Sequence, residues 1–183
     1  MERIGFYKVS LPEYTEDEMA VLTTAAFMAG YDGEDDVTLT QLAKKMGMSL
    51  ARWGAIRDRL NGAFQSLNNR KGDLTMLRIL EDGSTRKTYR VQAIQPLDAA
   101  KEVTLLGEEW QKLCAPYQAG ARYALGTDLR VFMALRANNM SLAQGAANTQ
   151  YVARMQDNLD YSPFKWHSAV ERLKAAGVES KVC

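Results

Sequence analysis

Two stretches of this sequence carry side chains whose types and spacing suit contact with a polyanion. Ser49, Arg52, Trp53, Asp58, Arg59 and Leu60 recur 113 residues later as Ser162, Lys165, Trp166, Glu171, Arg172 and Leu173. In each copy a serine stands where it would cap a helix N-terminus, and cations follow on the next turns. Helical spacing aligns Trp53 with Ile56 and Leu60, and Trp166 with Ala169 and Leu173. Both tryptophans are therefore expected in the core, positioning their helices rather than touching a ligand. The opposite face of the first copy presents Leu50, Ala51, Arg52 and Ala55, with Arg59 further on. The second presents Phe164, Lys165, Ser168 and Arg172, beside His167. An arginine can grip a guanine edge with two hydrogen bonds, and an alanine can meet a thymine methyl.

The flanking elements must hold these faces. Thr15-Glu16-Asp17-Glu18 reads as a capping box, followed by Met19, Leu22, Ala26 and Phe27 at helical spacing up to Gly30. The acidic stretch Tyr31 to Asp36 lacks the alternating ligand spacing of a calcium loop and is read as a turn. Thr38-Leu39-Thr40-Gln41 opens a second helix, ending near Met46. Leu42, Met46, Met48, Trp53 and Ile56 fall where a helix-turn-helix buries apolar side chains. Ala43 sits where the helices approach most closely, and Gly47 where the turn favours a positive φ. Leu74 to Leu80 and Arg86 to Ile94 read as strands joined by Glu81-Asp82-Gly83-Ser84. Three helices and a hairpin, in that order, describe a winged helix.

Residues 95–100, around Pro96, read as a linker. Beyond it the pattern predicts a short strand at Val103 to Leu105, then helices over Gly107 to Leu113, Thr127 to Asn138, Thr149 to Met155 and Ser162 to about Ala176. The connection before Ser162 reads about three residues longer than its counterpart and lacks the turn glycine. Val178 to Cys183 leave room for one strand and no second wing. The expected fold is thus mainly α with small β wings (α+β), two winged-helix or helix-turn-helix units in tandem. The boundaries are 1–94 for the first unit, 95–100 for the linker and 101–183 for the second, whose wing is truncated.

The net charge of +1 conceals a polarity along the chain. Residues 1–40 carry 2 basic and 9 acidic side chains, residues 41–92 carry 11 and 4, and residues 93–183 carry 10 and 9. A basic block beside an acidic leader is the footprint of a polyanion binder, or simply a solvated charged face. Phosphate contacts are expected from Lys44 and Lys45, from Arg70 and Lys71, and from Arg86, Lys87 and Arg90 in the hairpin, with Ser49 and Ser162 at the two helix starts. The hairpin charges could equally protect an edge strand from aggregation.

Cys114 and Cys183 are the only cysteines, which excludes a disulfide framework and a thiolate zinc site and fits a reducing cytoplasm. No apolar run is long enough to span a membrane, and the N-terminus lacks the apolar core of a signal peptide. Phosphate-cradling glycine loops, metalloprotease, hydrolase-elbow and dinucleotide motifs are all absent from the sequence, and nothing completes a metal site around His167. The reading is therefore of a protein that is not an enzyme and takes no cofactor or metal.

The stretches TLTQLAKKMGMS, LRILEDGSTRKTYRV, KEVTLLGEEWQKL, TDLRVFMALRA and SPFKWHSAVERLKAAGV, in this order, resemble the architecture of plasmid replication initiator proteins with tandem winged helices. The resemblance implies that both units contact repeats in an origin and that the first can mediate a homodimer. It is architectural, and the missing second wing departs from it. The expectation is a sequence-specific binder of double-stranded DNA, acting as a replication initiator or origin-binding factor of a plasmid or mobile element. Two alternatives stay open: a transcriptional repressor with the same reading helices, and an interaction module for a polymerase, phage or host factor.

Overall fold

A computed structural model describes residues 3–29, 37–49, 51–52, 55–56, 76–82, 88–94 and 101–182. The described residues are mainly helical, with two small antiparallel sheets among them. Among the described residues no helix is long and apolar enough to cross a membrane.

Strand β1 (Arg3–Tyr7) pairs antiparallel with β5 (Glu102–Leu106), Ile4 opposite Leu105 and Phe6 opposite Val103. These four side chains are buried, so the period-two alternation of both strands supplies one inward face. The pairing crosses the boundary read at 95–100: the first strand of the chain is completed by residues beyond it.

A 3-10 segment (Lys8–Glu13) leads into α1 (Glu16–Ala29). The sequence shows a stripe of apolar residues on α1. In the structure Met19, Ala20, Val21, Leu22, Thr23 and Thr24 are buried in unbroken succession. A helix covered on every side lies inside a domain rather than on its surface. Thr23 tolerates this by donating its hydroxyl to the Met19 carbonyl at 2.8 Å. The packing partners of α1 include α2 (Leu39–Met46) and α5 (Leu125–Ala137).

Helical residues 51–52 and 55–56 mark α3 after the turn that follows α2. The second sheet combines β2 (Val37–Thr38), β3 (Met76–Asp82) and β4 (Thr88–Ile94), with β4 in the middle. Register runs from Met76 opposite Ile94 to Asp82 opposite Thr88, which makes β3 and β4 a hairpin. Then come α4 (Gly107–Gln118), α5, a short α6 (Leu142–Ala146), α7 (Gln150–Leu159) and α8 (Pro163–Ala176). Residues 178–182 form no strand.

Among the described residues one apolar cluster runs from Ile4, Met19 and Met48 to Phe132, Trp166 and Leu173. Trp166 is wholly buried, as its stripe predicts, and its indole N–H donates to the Gly145 carbonyl at 2.8 Å. The C-terminal segment is tied down by Arg136, whose side chain is only 7% exposed. Its guanidinium donates to both Glu109 carboxylate oxygens and to the carbonyls of Thr104, Glu179 and Ser180.

Candidate nucleic-acid interface

The 113-residue repeat extends further back than the matching residue types, into the turns. Gly47 ends α2 at φ 67°, and its N–H donates to the Lys44 carbonyl at 3.2 Å. The equivalent Asp160 ends α7 at φ 56°, and its N–H donates to the Asp157 carbonyl at 3.1 Å. Met48 N–H donates to Ala43 at 2.9 Å, and Tyr161 N–H to Gln156, also at 2.9 Å. Met48 and Tyr161 are both buried, as are Ala43 and Gln156. Ser49 then accepts from the Arg52 N–H at 3.3 Å, and Ser162 from the Lys165 N–H at 3.1 Å.

This corrects the longer second connection expected from the sequence. α7 runs on to Leu159, so both turns have the same length. Aspartate replaces the turn glycine because its short polar side chain tolerates the left-handed conformation better than most residues do.

The first turns of α3 and α8 converge on the N-terminus of α1. Arg52 donates through Nε and Nη2 to the two carboxylate oxygens of Asp17, at 2.9 and 2.6 Å. Lys165 Nζ lies 2.6 Å from Glu16 Oε1. Each cation also sits over a tyrosine ring, Arg52 over Tyr123 at 5.2 Å and Lys165 over Tyr161 at 4.5 Å. The Asp17 hydrogen bonds raise the guanidinium pKa of Arg52 further. Burial pushes the Glu16 carboxyl up, but hydrogen bonds from Lys165, Tyr161 and Thr127 outweigh it, and its pKa is lowered. Gly126 brings this corner together: a methyl there would overlap the backbone carbonyl of Glu16, so only glycine lets α5 approach α1 this closely.

Arg172 makes a contact within the chain that its position on α8 does not suggest. Its Nε donates at 2.8 Å to Asp128, a carboxylate with 4% exposure that also accepts from the Tyr117 hydroxyl. Burial pushes the Asp128 carboxyl up, more than Tyr117 and Arg172 together lower it. Arg172 neutralises a buried acid and thereby fixes α8 to α5.

The remaining predicted positions divide simply. Ala51 and Ala55 are exposed on α3, and Lys44 on α2. Lys45 is half-buried with its Nζ 5.7 Å from the ring centre of Trp110. Phe164, equivalent to Ala51, is 83% exposed on the first turn of α8, while His167 and Ser168 are half-buried. Tyr151 on α7 is 71% exposed. Leu50, Trp53, Arg59, Arg70, Lys71, Arg86 and Lys87 lie outside the described residues, and of Arg90 only the backbone in β4 is described. Asp17, Glu16 and the tyrosines beside them are what the sequence did not reveal. The cations that the two acids meet stand far away in the chain, 35 residues from Asp17 to Arg52, and no local spacing signals such a pairing, whereas Tyr161 is a near neighbour of Lys165 in sequence.

Cys114 is buried, and burial pushes its thiol up to about 12, so it is no nucleophile at neutral pH. Among the described residues no cluster of three or more His, Cys, Asp or Glu could hold a metal ion. No protein-family model, curated protein or solved structure matches this chain.

Proposed function

We propose that this protein binds double-stranded DNA through two winged-helix or helix-turn-helix units, with α3 and α8 as the helices that enter the groove. The observation that carries the reading is the repeated turn. Two helix pairs, 113 residues apart, share the left-handed residue, both backbone hydrogen bonds and the serine cap. The order α1, β2, α2, α3, β3, β4, with β4 between β2 and β3, supports reading the first unit as a winged helix. Ala51, Ala55 and Phe164 then supply apolar contacts to bases, and Lys44 with the hairpin cations supplies phosphate contacts. Within this reading the protein is a cytoplasmic replication initiator or origin-binding factor of a plasmid or mobile element.

Electrophoretic mobility shift with DNA from the upstream region of its own gene tests the proposal. Binding should be sequence-dependent and should weaken steeply with salt, because lysines and arginines displace counterions. Absence of a shifted band with any duplex at low salt would end it. Iterated direct repeats in the bound region point to replication, and a palindrome over a promoter to repression. One observation favours the protein-interaction alternative: Phe164 and Tyr151 are large and exposed while Arg52, Lys165 and Arg172 all have carboxylate partners within the chain. In that case Phe164→Ala abolishes capture of the partner and leaves duplex binding unchanged.

A further inference from the structure

The equivalent cations of the two repeated helices are held by neighbouring acids. Arg52 of α3 takes Asp17, and Lys165 of α8 takes Glu16. A helix N-terminus welcomes acids in general, through its unpaired N–H groups and its dipole. That preference accounts for their presence in the first turn of α1. It does not account for one acid on each repeated helix, at the same repeat position.

Chemistry and accessibility both bear on what this arrangement does. A carboxylate and a phosphate present the same acceptor geometry to a guanidinium or an ammonium. Arg52 and Lys165 keep 49% and 44% of their side chains exposed, and both line an open cleft of about 490 Å³ with Glu16, Asp17, Arg130 and Tyr161. Their acids are less open, Asp17 at 21% and Glu16 at 31% of the side chain, so an incoming anion reaches each pair from the cation side, where solvent keeps an ion pair weak and exchangeable. The Arg172–Asp128 pair is the contrast: its acid is buried, so an incoming anion cannot replace it.

We infer that Glu16 and Asp17 stand in for two backbone phosphates, forming an internal latch on both reading helices that a duplex opens by exchanging with them. The inference rests on the duplex-binding reading for its ligand. In the latched state α3 and α8 show their apolar first-turn residues while Arg52 and Lys165 are both taken by acids. Exchange frees both cations at once, because the two acids are adjacent on one helix. Non-specific DNA must then compete with the latch, while a site that also fits Phe164 and Ala51 gains contacts that help to open it.

Three forms of the full chain test this: wild type, E16Q/D17N, and E108Q/D157N. The last makes the same change in net charge at exposed acids that form neither of these two ion pairs. Each is titrated with a random-sequence duplex over a salt series and eluted from heparin with salt. E16Q/D17N should bind the duplex about 10- to 100-fold tighter at fixed salt, with a plot of log K against log salt steeper by about two, whereas the control should change by less than about threefold. E16Q/D17N should also leave heparin at higher salt than the control does. Equal gains in the two variants, or no gain in E16Q/D17N, overturn the latch. If the wild type binds duplex in that event, the functional reading survives without it. If no form binds duplex but E16Q/D17N alone gains heparin affinity, the latch stands and the duplex reading falls. Should the double variant misfold, E16Q and D17N singly should each show about half of the slope change, and no slope change in either overturns the inference.

Discussion

Arg52 grips Asp17 with two parallel hydrogen bonds, at 2.9 and 2.6 Å, across 35 residues of sequence. The contact joins the first turn of α3 to the first turn of α1. Because Arg52 is half exposed, its geometry is stronger than its energetics. A double-mutant cycle with Asp17→Ala and Arg52→Ala should give a coupling of about 0.5–1 kcal/mol by urea unfolding, the upper range for an exposed bidentate pair. A coupling several times larger would show that the pair is far better shielded than its exposure implies.

Arg136 and Glu109 should behave in the opposite way. Both are nearly buried, and Arg136 satisfies acceptors on β5, α4 and the C-terminal segment. Replacing Arg136 by methionine strands the Glu109 carboxylate and three carbonyls, for a loss of about 3–5 kcal/mol. Adding Glu109→Gln should return part of that loss, since the stranded charge is then gone. Denaturant midpoints of the single and double variants check this, and a double variant less stable than Arg136→Met would contradict it.

Gly126→Ala should cost about 2 kcal/mol or more, although alanine favours helices. The methyl would meet the Glu16 carbonyl, which is backbone at the start of α1 and cannot step aside alone. Thermal unfolding of Gly126→Ala measures the loss. A neutral result would mean that α1 and α5 can move apart freely.

Phe164→Ala should leave stability within about 0.5 kcal/mol, because the ring is 83% exposed. Duplex affinity for the specific site should fall about tenfold with an unchanged salt slope, as expected of an apolar base contact worth about 1–2 kcal/mol. A changed slope would show instead that the substitution disturbs phosphate contacts.

Glu16 and Asp128 should give opposite pH signatures. The Glu16 carboxyl is lowered on folding, so its contribution is present above the ordinary value of 4.5 and disappears as pH falls through the lower folded value. The Asp128 carboxyl is raised on folding by burial, so its contribution is fully present below the ordinary value of 3.8 and is lost as pH rises through the higher folded value. Relative to wild type, Glu16→Gln should therefore lose stability on going from acid to neutral pH, and Asp128→Asn should gain it. Urea midpoints at about pH 3.5 and about pH 7 read the two signs directly. The same sign in both variants would contradict the burial and pairing described above.

Much of the element order was legible because it depends on local chemistry. Thr15, Ser49 and Ser162 cap helices where their types and spacing say they should, with hydroxyls accepting from the N–H three residues on. The inward stripe of α8 was legible because burial follows the helical period. The equality of the two turns was not, since Asp160 hides a left-handed residue behind a type that also occurs within helices. Nor was the depth of α1, because its surroundings come from α2, α5 and β4 and not from its own neighbours.

The sequence by itself thus determined the caps, the apolar faces and the repeated helix, all set by interactions within a few residues. Only the tertiary structure decided where the charges go. Arg52, Lys165 and Arg172 are all cations at corresponding or neighbouring helix positions in the sequence, yet two meet half-buried acids on α1 and one meets a buried acid on α5. The physical reason is that an ion pair's exchangeability depends on the solvent around it, and that solvent is excluded or admitted by elements brought together from distant parts of the chain.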